Sequence, residues 1–274
     1  MLIGLGGIMP EGAEVRKYGE SLAQKVSGAT LENVIIHSGR YLKKSPDGLD
    51  FFLKNLPGHV VGVGVHGKFL YWILSNDTYV HSTLGMTGHW SDSLSKHTRV
   101  EFVTSRGSVL YSDQRNFGTL KFTTGKKSLI DKLESLGPDM LTEVSDDHFS
   151  DAIQRKKKWT VAKAIMDQSV IAGVGNYVKA ESLWLARISP HRKVESLSGA
   201  EVQNLNHSIK TVLRESLQSG GATLRTYKNF DGTIGQYSSK FAVYNQKKDP
   251  DGNEVIKEKT DDGRTTHWVP SLQV

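Results

Sequence analysis

The chain has 274 residues, room for two ordinary domains, and its 37% hydrophobic and 23% charged content is that of a globular protein. A net charge of +6 favours a polyanionic partner, and the lack of any cysteine excludes disulfides, thiol catalysis and zinc held by thiolates. No apolar run approaches the roughly 18 residues that a membrane span needs.

Two methionines open the sequence. Met1 begins LIGLGGI, which has no positive segment before it and no cleavage site after it, so it does not read as a secretory signal. Met9 begins Pro10-Glu11-Gly12, and residues 1–8 read as an upstream extension. After Pro10, the apolar residues Val15, Tyr18, Leu22 and Val26 recur every three or four positions. That spacing predicts one helix, with Gly28 placed to end it.

Short β-branched and aromatic runs follow: VIIH (34–37), VVGVGV (60–65), FLYWIL (69–74), VEFV (100–103) and VLYS (109–112). Strands without long helices between them predict an antiparallel β-sandwich. From about residue 146 the pattern turns helical, with Ser145-Asp146 as an N-cap and RKKK (155–158) as a basic patch. Helices are predicted over 159–168, 176–188 and 197–217, and strands return over 241–246, 254–259 and 265–270 between DPDG and DDG turns.

Three places carry chemistry. The turn IAGVGNY (171–177) puts glycines before a helix, where bare N–H groups favour an anion and Asn176 can donate to a phosphate; a plain helix connection reads the same way. Arg264 follows the DDG turn at a hairpin tip, either a bidentate phosphate ligand or a solvated arginine. Lys68 follows Gly67 at the head of FLYWIL, facing either water or a cleft.

Set beside these, MPEGAEV (9–15) resembles the start of the formamidopyrimidine-DNA glycosylase and endonuclease VIII family, base-excision repair enzymes with an N-terminal proline nucleophile. The resemblance runs in order through GKFL (67–70), STLGMTGHW (82–90), YSDQRNFG (111–118) and LGPDML (136–141). It continues through DQSVIAGVGNYVKAESLWLARISPHR (167–192), SGGATLR (219–225) and GRTTHWVPSLQ (263–273). It is most similar to the zincless-finger branch of plants and large DNA viruses, in keeping with the missing cysteines.

The resemblance implies an α+β multidomain fold. An N-terminal catalytic β-sandwich flanked by helices would occupy residues 1–145, and a helix–two-turn–helix DNA-binding domain residues 146–274, with a zincless β-hairpin finger at about 240–271. It implies Pro10 as nucleophile, Glu11 as general acid/base and Glu14 as an orienting carboxylate. Lys68, Asn176 and Arg264 would hold phosphates, and Met86, Arg115 and Phe117 would fill the void left by a flipped base. Gly85 and Gly118 would let their loops approach the duplex. Many relatives carry a second arginine where this chain has Asn116. Residues 221–239 match the family's lesion-capping loop.

No metal or diffusible cofactor is implied. The expected partner is double-stranded DNA with an oxidised base or abasic site, bound by a monomer in an intracellular setting, nuclear or cytoplasmic. Proline nitrogen inside a chain is a tertiary amide with no free lone pair, so this chemistry needs Pro10 as the first residue. If it is not, a non-catalytic damaged-DNA-binding protein is the alternative. An RNA-binding module is a third reading, but it needs neither the Pro-Glu start nor the Met-Arg-Phe trio.

Overall fold

The computed structural model describes residues 9–222 and 235–274. The chain divides into two compact units. Among the described residues the first comprises residues 9–10 and Glu14–Glu134, and the second Glu11–Ala13, Ser135–Ala222 and Gly235–Val274.

The first unit opens with helix α1 (Gly12–Val26), whose periodic residues Val15, Tyr18, Leu22 and Val26 are all buried, and Gly28 turns the chain with φ of 77°. Then come β1 (Thr30–Ile36), α2 (Leu49–Lys54), β2 (Gly58–His66), β3 (Phe69–Leu74), β4 (Thr78–Thr83), β5 (Gly88–Ser91), β6 (Thr98–Thr104), β7 (Gly107–Asp113), β8 (Thr119–Thr124) and α3 (Lys126–Glu134). All pairings are antiparallel, in the order β5-β7-β6-β1-β2-β3-β4-β8. Strand β1 pairs with β6 along most of its length but with β2 only at Thr30 and Leu31. The ladder folds there into two four-stranded layers.

Between the layers lies an aromatic core. Trp72 of β3 packs on Trp90 of β5 and Phe102 of β6 at ring separations of 5.4 and 5.2 Å, and Phe102 reaches Phe122 of β8 at 6.0 Å. The expected sandwich is therefore present. Three of its strands, β4, β5 and β8, are not among the runs expected from composition. Their threonine, serine, histidine and glycine residues dilute the apolar alternation, yet cross-strand pairing claims them.

The second unit holds α4 (Asp146–Gln154), α5 (Val161–Met166), α6 (Asn176–Ala186), α7 (Gly199–Gln218) and the hairpin β9 (Ile256–Lys259)–β10 (Thr265–Trp268). Ser145 and Thr160 cap α4 and α5, and Ser198 with Glu201 forms a capping box on α7. Helix α6 is buried nearly all round, including Lys179 and Glu181.

Two expectations change. The boundary drawn after residue 145 falls after Glu134. Residues beyond it are tied to the helical unit, since Gly137 N–H donates to Gln168 O at 2.9 Å and Ala172 N–H to Pro138 O at 2.8 Å. The stretch 241–246, expected as a strand, forms none. Its amides are taken elsewhere: Ala242, Val243 and Tyr244 all donate to the carboxylate of Glu181, at 2.9, 3.0 and 2.7 Å. Among the described residues no helix is long and apolar enough to cross a membrane.

Candidate active site

Pro10 is buried and directly precedes Glu11, whose own burial is almost complete at 1% exposure. The Glu11 carboxylate accepts the N–H groups of Tyr177 at 2.9 Å and Val178 at 3.2 Å, the first turn of α6. Those amides are the bare donors that the glycine turn was expected to offer to a phosphate. The anion they hold is a side chain of the same protein, stabilised by the helix dipole.

Two glycines make this possible. A Cβ at Gly175 would lie 2.2 Å from the Glu11 carboxyl carbon, and one at Gly12 would lie 3.0 Å from the Gly173 Cα. Gly12 N–H also donates to Gly173 O at 2.8 Å. Gln168 fixes the turn by donating to Met166 O and Val174 O and accepting from Gly173 N–H.

Asn176 starts α6 and donates its side-chain amide to Thr265 O on β10 at 2.9 Å. Arg264, one residue earlier in the hairpin, is exposed, and among the described residues its guanidinium has no protein partner. One turn along α6, Lys179 meets Asp262 with Nζ–Oδ2 of 2.5 Å, the two side chains 0% and 3% exposed. Burial pulls the Lys179 ammonium below its usual pKa, opposed by Asp262 and by nearby Glu11. Burial alone would raise the Asp262 pKa, but hydrogen bonds from Lys179 and Thr260 hold it below the usual carboxylate value. Tyr244, whose hydroxyl pKa burial raises, interacts with both Asn176 and Glu11.

In the sandwich unit, Met86, Arg115 and Phe117 come together on two loop tips. Arg115 Nη1 lies 3.3 Å from Met86 Sδ, and its guanidinium stands 4.9 Å from the Phe117 ring centroid. Phe117 is 55% exposed. Buried Asp113 ties the tips to one another: one carboxylate oxygen accepts from Thr87 Oγ1 and Arg115 N–H, the other from Gly118 N–H. Gly85 and Gly118 serve this loop-to-loop approach, because a Cβ at Gly85 would lie 2.6 Å from Gly118 N. Asn116 adopts φ of 57° between them, a left-handed conformation that asparagine tolerates. Lys68 sits half-buried in the two-residue turn between β2 and β3, and Glu14 is buried on α1.

The chain matches the formamidopyrimidine-DNA glycosylase N-terminal domain over residues 9–120, the H2TH domain over 136–228 and the C-terminal domain over 235–274. It is 33% identical to the formamidopyrimidine-DNA glycosylase of Shouchella clausii, across 97% of this chain and 99% of that one. It belongs to the formamidopyrimidine-DNA glycosylase family. The homologue from Oceanobacillus iheyensis is 34% identical across 97% and 98% of the two chains. Among solved structures, the MutM (Fpg) protein of Thermus thermophilus superposes with a TM-score of 0.86 at 30% identity, covering 96% of this chain and 98% of that one. A Lactococcus lactis Fpg variant in complex with Fapy-dG-containing DNA gives 0.85 at 26% identity, covering 96% and 99%. The protein is thus an enzyme, a DNA glycosylase of base excision repair.

Some members of this glycosylase family carry a zinc-holding finger, and the residues here do not fit one. The sequence has no cysteine, and the described residues contain no group of three or more metal-ligating side chains. His267 of β10 is buried, and its Nδ1 has no hydrogen-bond partner among the described residues, but it belongs to no group of three such ligands there. Within the family fold, Lys179, Asp262, Glu181 and Tyr244 were not legible as site residues. The one available signal was two charged residues, Lys179 and Glu181, inside an otherwise small and apolar helix. Of the stretch 221–239, expected to be a lesion-capping loop, residues 223–234 lie outside the described residues.

Proposed function

We propose that this enzyme is a bifunctional glycosylase and abasic-site lyase. It would remove oxidised bases (8-oxoguanine, formamidopyrimidines or oxidised pyrimidines) from duplex DNA. The secondary amine of Pro10 attacks C1′ of the damaged nucleotide, and the base leaves with the bonding electrons and a proton. Opening of the sugar then gives an iminium on Pro10. Loss of a C2′ proton expels the 3′ phosphate by β-elimination, and a second elimination would expel the 5′ phosphate.

The Glu11 carboxylate, held on the first turn of α6 and covalently next to Pro10, suits the proton transfers and balances the positive iminium. Glu14, in the first turn of α1, is the orienting carboxylate. Lys68, Asn176 and Arg264 take phosphates flanking the lesion, and Met86, Arg115 and Phe117 occupy the space of the flipped base. The hairpin is then a finger of the zincless kind.

The observation that carries this reading is the trio on the Asp113-bound loops. A phenyl ring held 55% exposed at a loop tip and braced by an arginine suits insertion into a base stack. The family match from residue 9 onward supports Pro10 as the working N-terminus.

Borohydride trapping on a duplex with 8-oxoguanine or an abasic site tests the chemistry, using one chain that retains residues 1–8 and one that starts at Pro10. Trapping only with Pro10 exposed is the expected result. Equal trapping by both points to another amine, such as Lys68. Trapping by neither, with lesion binding intact, replaces the enzyme reading with a damaged-DNA-binding protein.

A further inference from the structure

The β9–β10 hairpin sits on an apolar patch of its own unit, in which Ala180 of α6 meets Val243, Val255 and Val269. That patch resists separation but says little about register, since apolar contacts are non-directional. Directional bonds come from Thr160 to Asp261, from His191 to Glu258 and, beside Arg264, from one face of α6, where Asn176 and Lys179 stand three residues apart.

Asn176 holds Thr265 through its carbonyl at 2.9 Å. Lys179 holds Asp262 at 2.5 Å, and the other oxygen of that carboxylate accepts Thr260 Oγ1 at 2.6 Å and the Arg264 backbone N–H at 3.1 Å. A single carboxylate thus links a fully buried ammonium to the main chain of the exposed arginine.

We propose that Lys179 and Asp262 are a positioning pair: they set the hairpin tip so that Arg264 and Asn176 meet one DNA phosphate. In a hairpin without cysteine they supply the buried directional link that reaches the Arg264 main chain, which apolar packing lacks. The inference rests on the function proposed above. A buried ion pair is a poor device for stability alone, because well-packed apolar residues serve as well or better once the cost of desolvation is counted. Here its geometry is spent on the residue whose own side chain is exposed.

The test measures binding to a duplex carrying a tetrahydrofuran abasic analogue across a potassium chloride series. The double variant K179M/D262N removes both buried charges and keeps an oxygen for the Arg264 N–H. It is expected to keep the wild-type circular dichroism and lose affinity roughly tenfold, and its salt slope should fall by about 0.9, the worth of one phosphate contact. In an R264A background the same pair of changes is expected to cost less than about twofold, because the pair acts through Arg264. Wild-type affinity and slope in the double variant would overturn the proposal, as would an equal loss with Arg264 already removed. Should the double variant not fold, D262N alone must show the same drop in slope, and an unchanged slope overturns the proposal. Wild-type protein that ignores the abasic analogue would instead sink the functional reading, along with this inference.

Discussion

The sandwich and the helical unit are held together by different means. In the sandwich, the inter-layer core is a run of touching rings, Trp72, Trp90, Phe102, Tyr111 and Phe122, closed by α1. In the helical unit, the centre is threaded with charge: Glu11, Lys179 and Glu181 are all buried along or against α6. Area burial gives the first its stability, and many side-chain combinations of the right volume would do. The second spends stability on direction, since each buried charge is answered by named donors or acceptors. Polar groups do enter the sandwich at its loop end, where Arg99 donates to Asp113 O and Asp113 closes the tips.

The sharpest way to break this comparison is Phe102→Ala. Phe102 is fully buried and touches both layers, so the cavity is expected to cost about 3–5 kcal/mol in denaturant unfolding. A cost below 1 kcal/mol would mean that the sandwich does not depend on its rings.

Glu181→Gln tests the other regime. The carboxylate answers three backbone N–H groups, and an amide keeps one acceptor oxygen, so stranded donors are expected to cost about 1–3 kcal/mol despite nearly equal volume. The same experiment reads it.

Acid sharpens the contrast further. Burial is the main cause that lowers His81 in the sandwich and His267 in the hairpin to about 4, from the ordinary 6.5. Below 6.5 the unfolded chain takes up protons that the folded chain refuses. The neutral-histidine contribution is therefore whole above pH 6.5 and lost as pH falls from 6.5 towards 4. Melting temperature should drop across that window, and His267→Gln should flatten part of the drop. An unchanged slope would refute the hairpin's share.

The smallest effect on stability is expected at the site. Phe117→Ala should leave unfolding within about 0.5 kcal/mol of wild type while weakening binding to abasic duplex by roughly 1–3 kcal/mol. Titration alongside a melting curve separates the two.

Sequence reading went furthest where the cause is local. The face of α1 follows from spacing and the strand FLYWIL from its run of aromatic and β-branched residues, and the latter matches β3 residue for residue. It stopped where partners are far apart. FAVYNQ has every local mark of a strand, yet its amides answer Glu181, about 60 residues earlier. Glu11 finds its donors 166 and 167 residues away, so a carboxylate after Pro10 could be seen but not what holds it. A charged residue inside α6 is visible in its own window, but the partner of Lys179, Asp262, lies 83 residues away, so no short window shows the pair.

One feature of the sandwich bears on how damage would be found. A single carboxylate, Asp113, clamps both loop tips, so Met86, Arg115 and Phe117 have little give of their own. Pressed against a duplex, such a tip yields less than the DNA, and base steps differ in how readily they unstack. On the proposed function, the protein then works as a stiffness gauge. It would pass over steps that push back and stop at the one that gives way, before any atom of the lesion has been recognised.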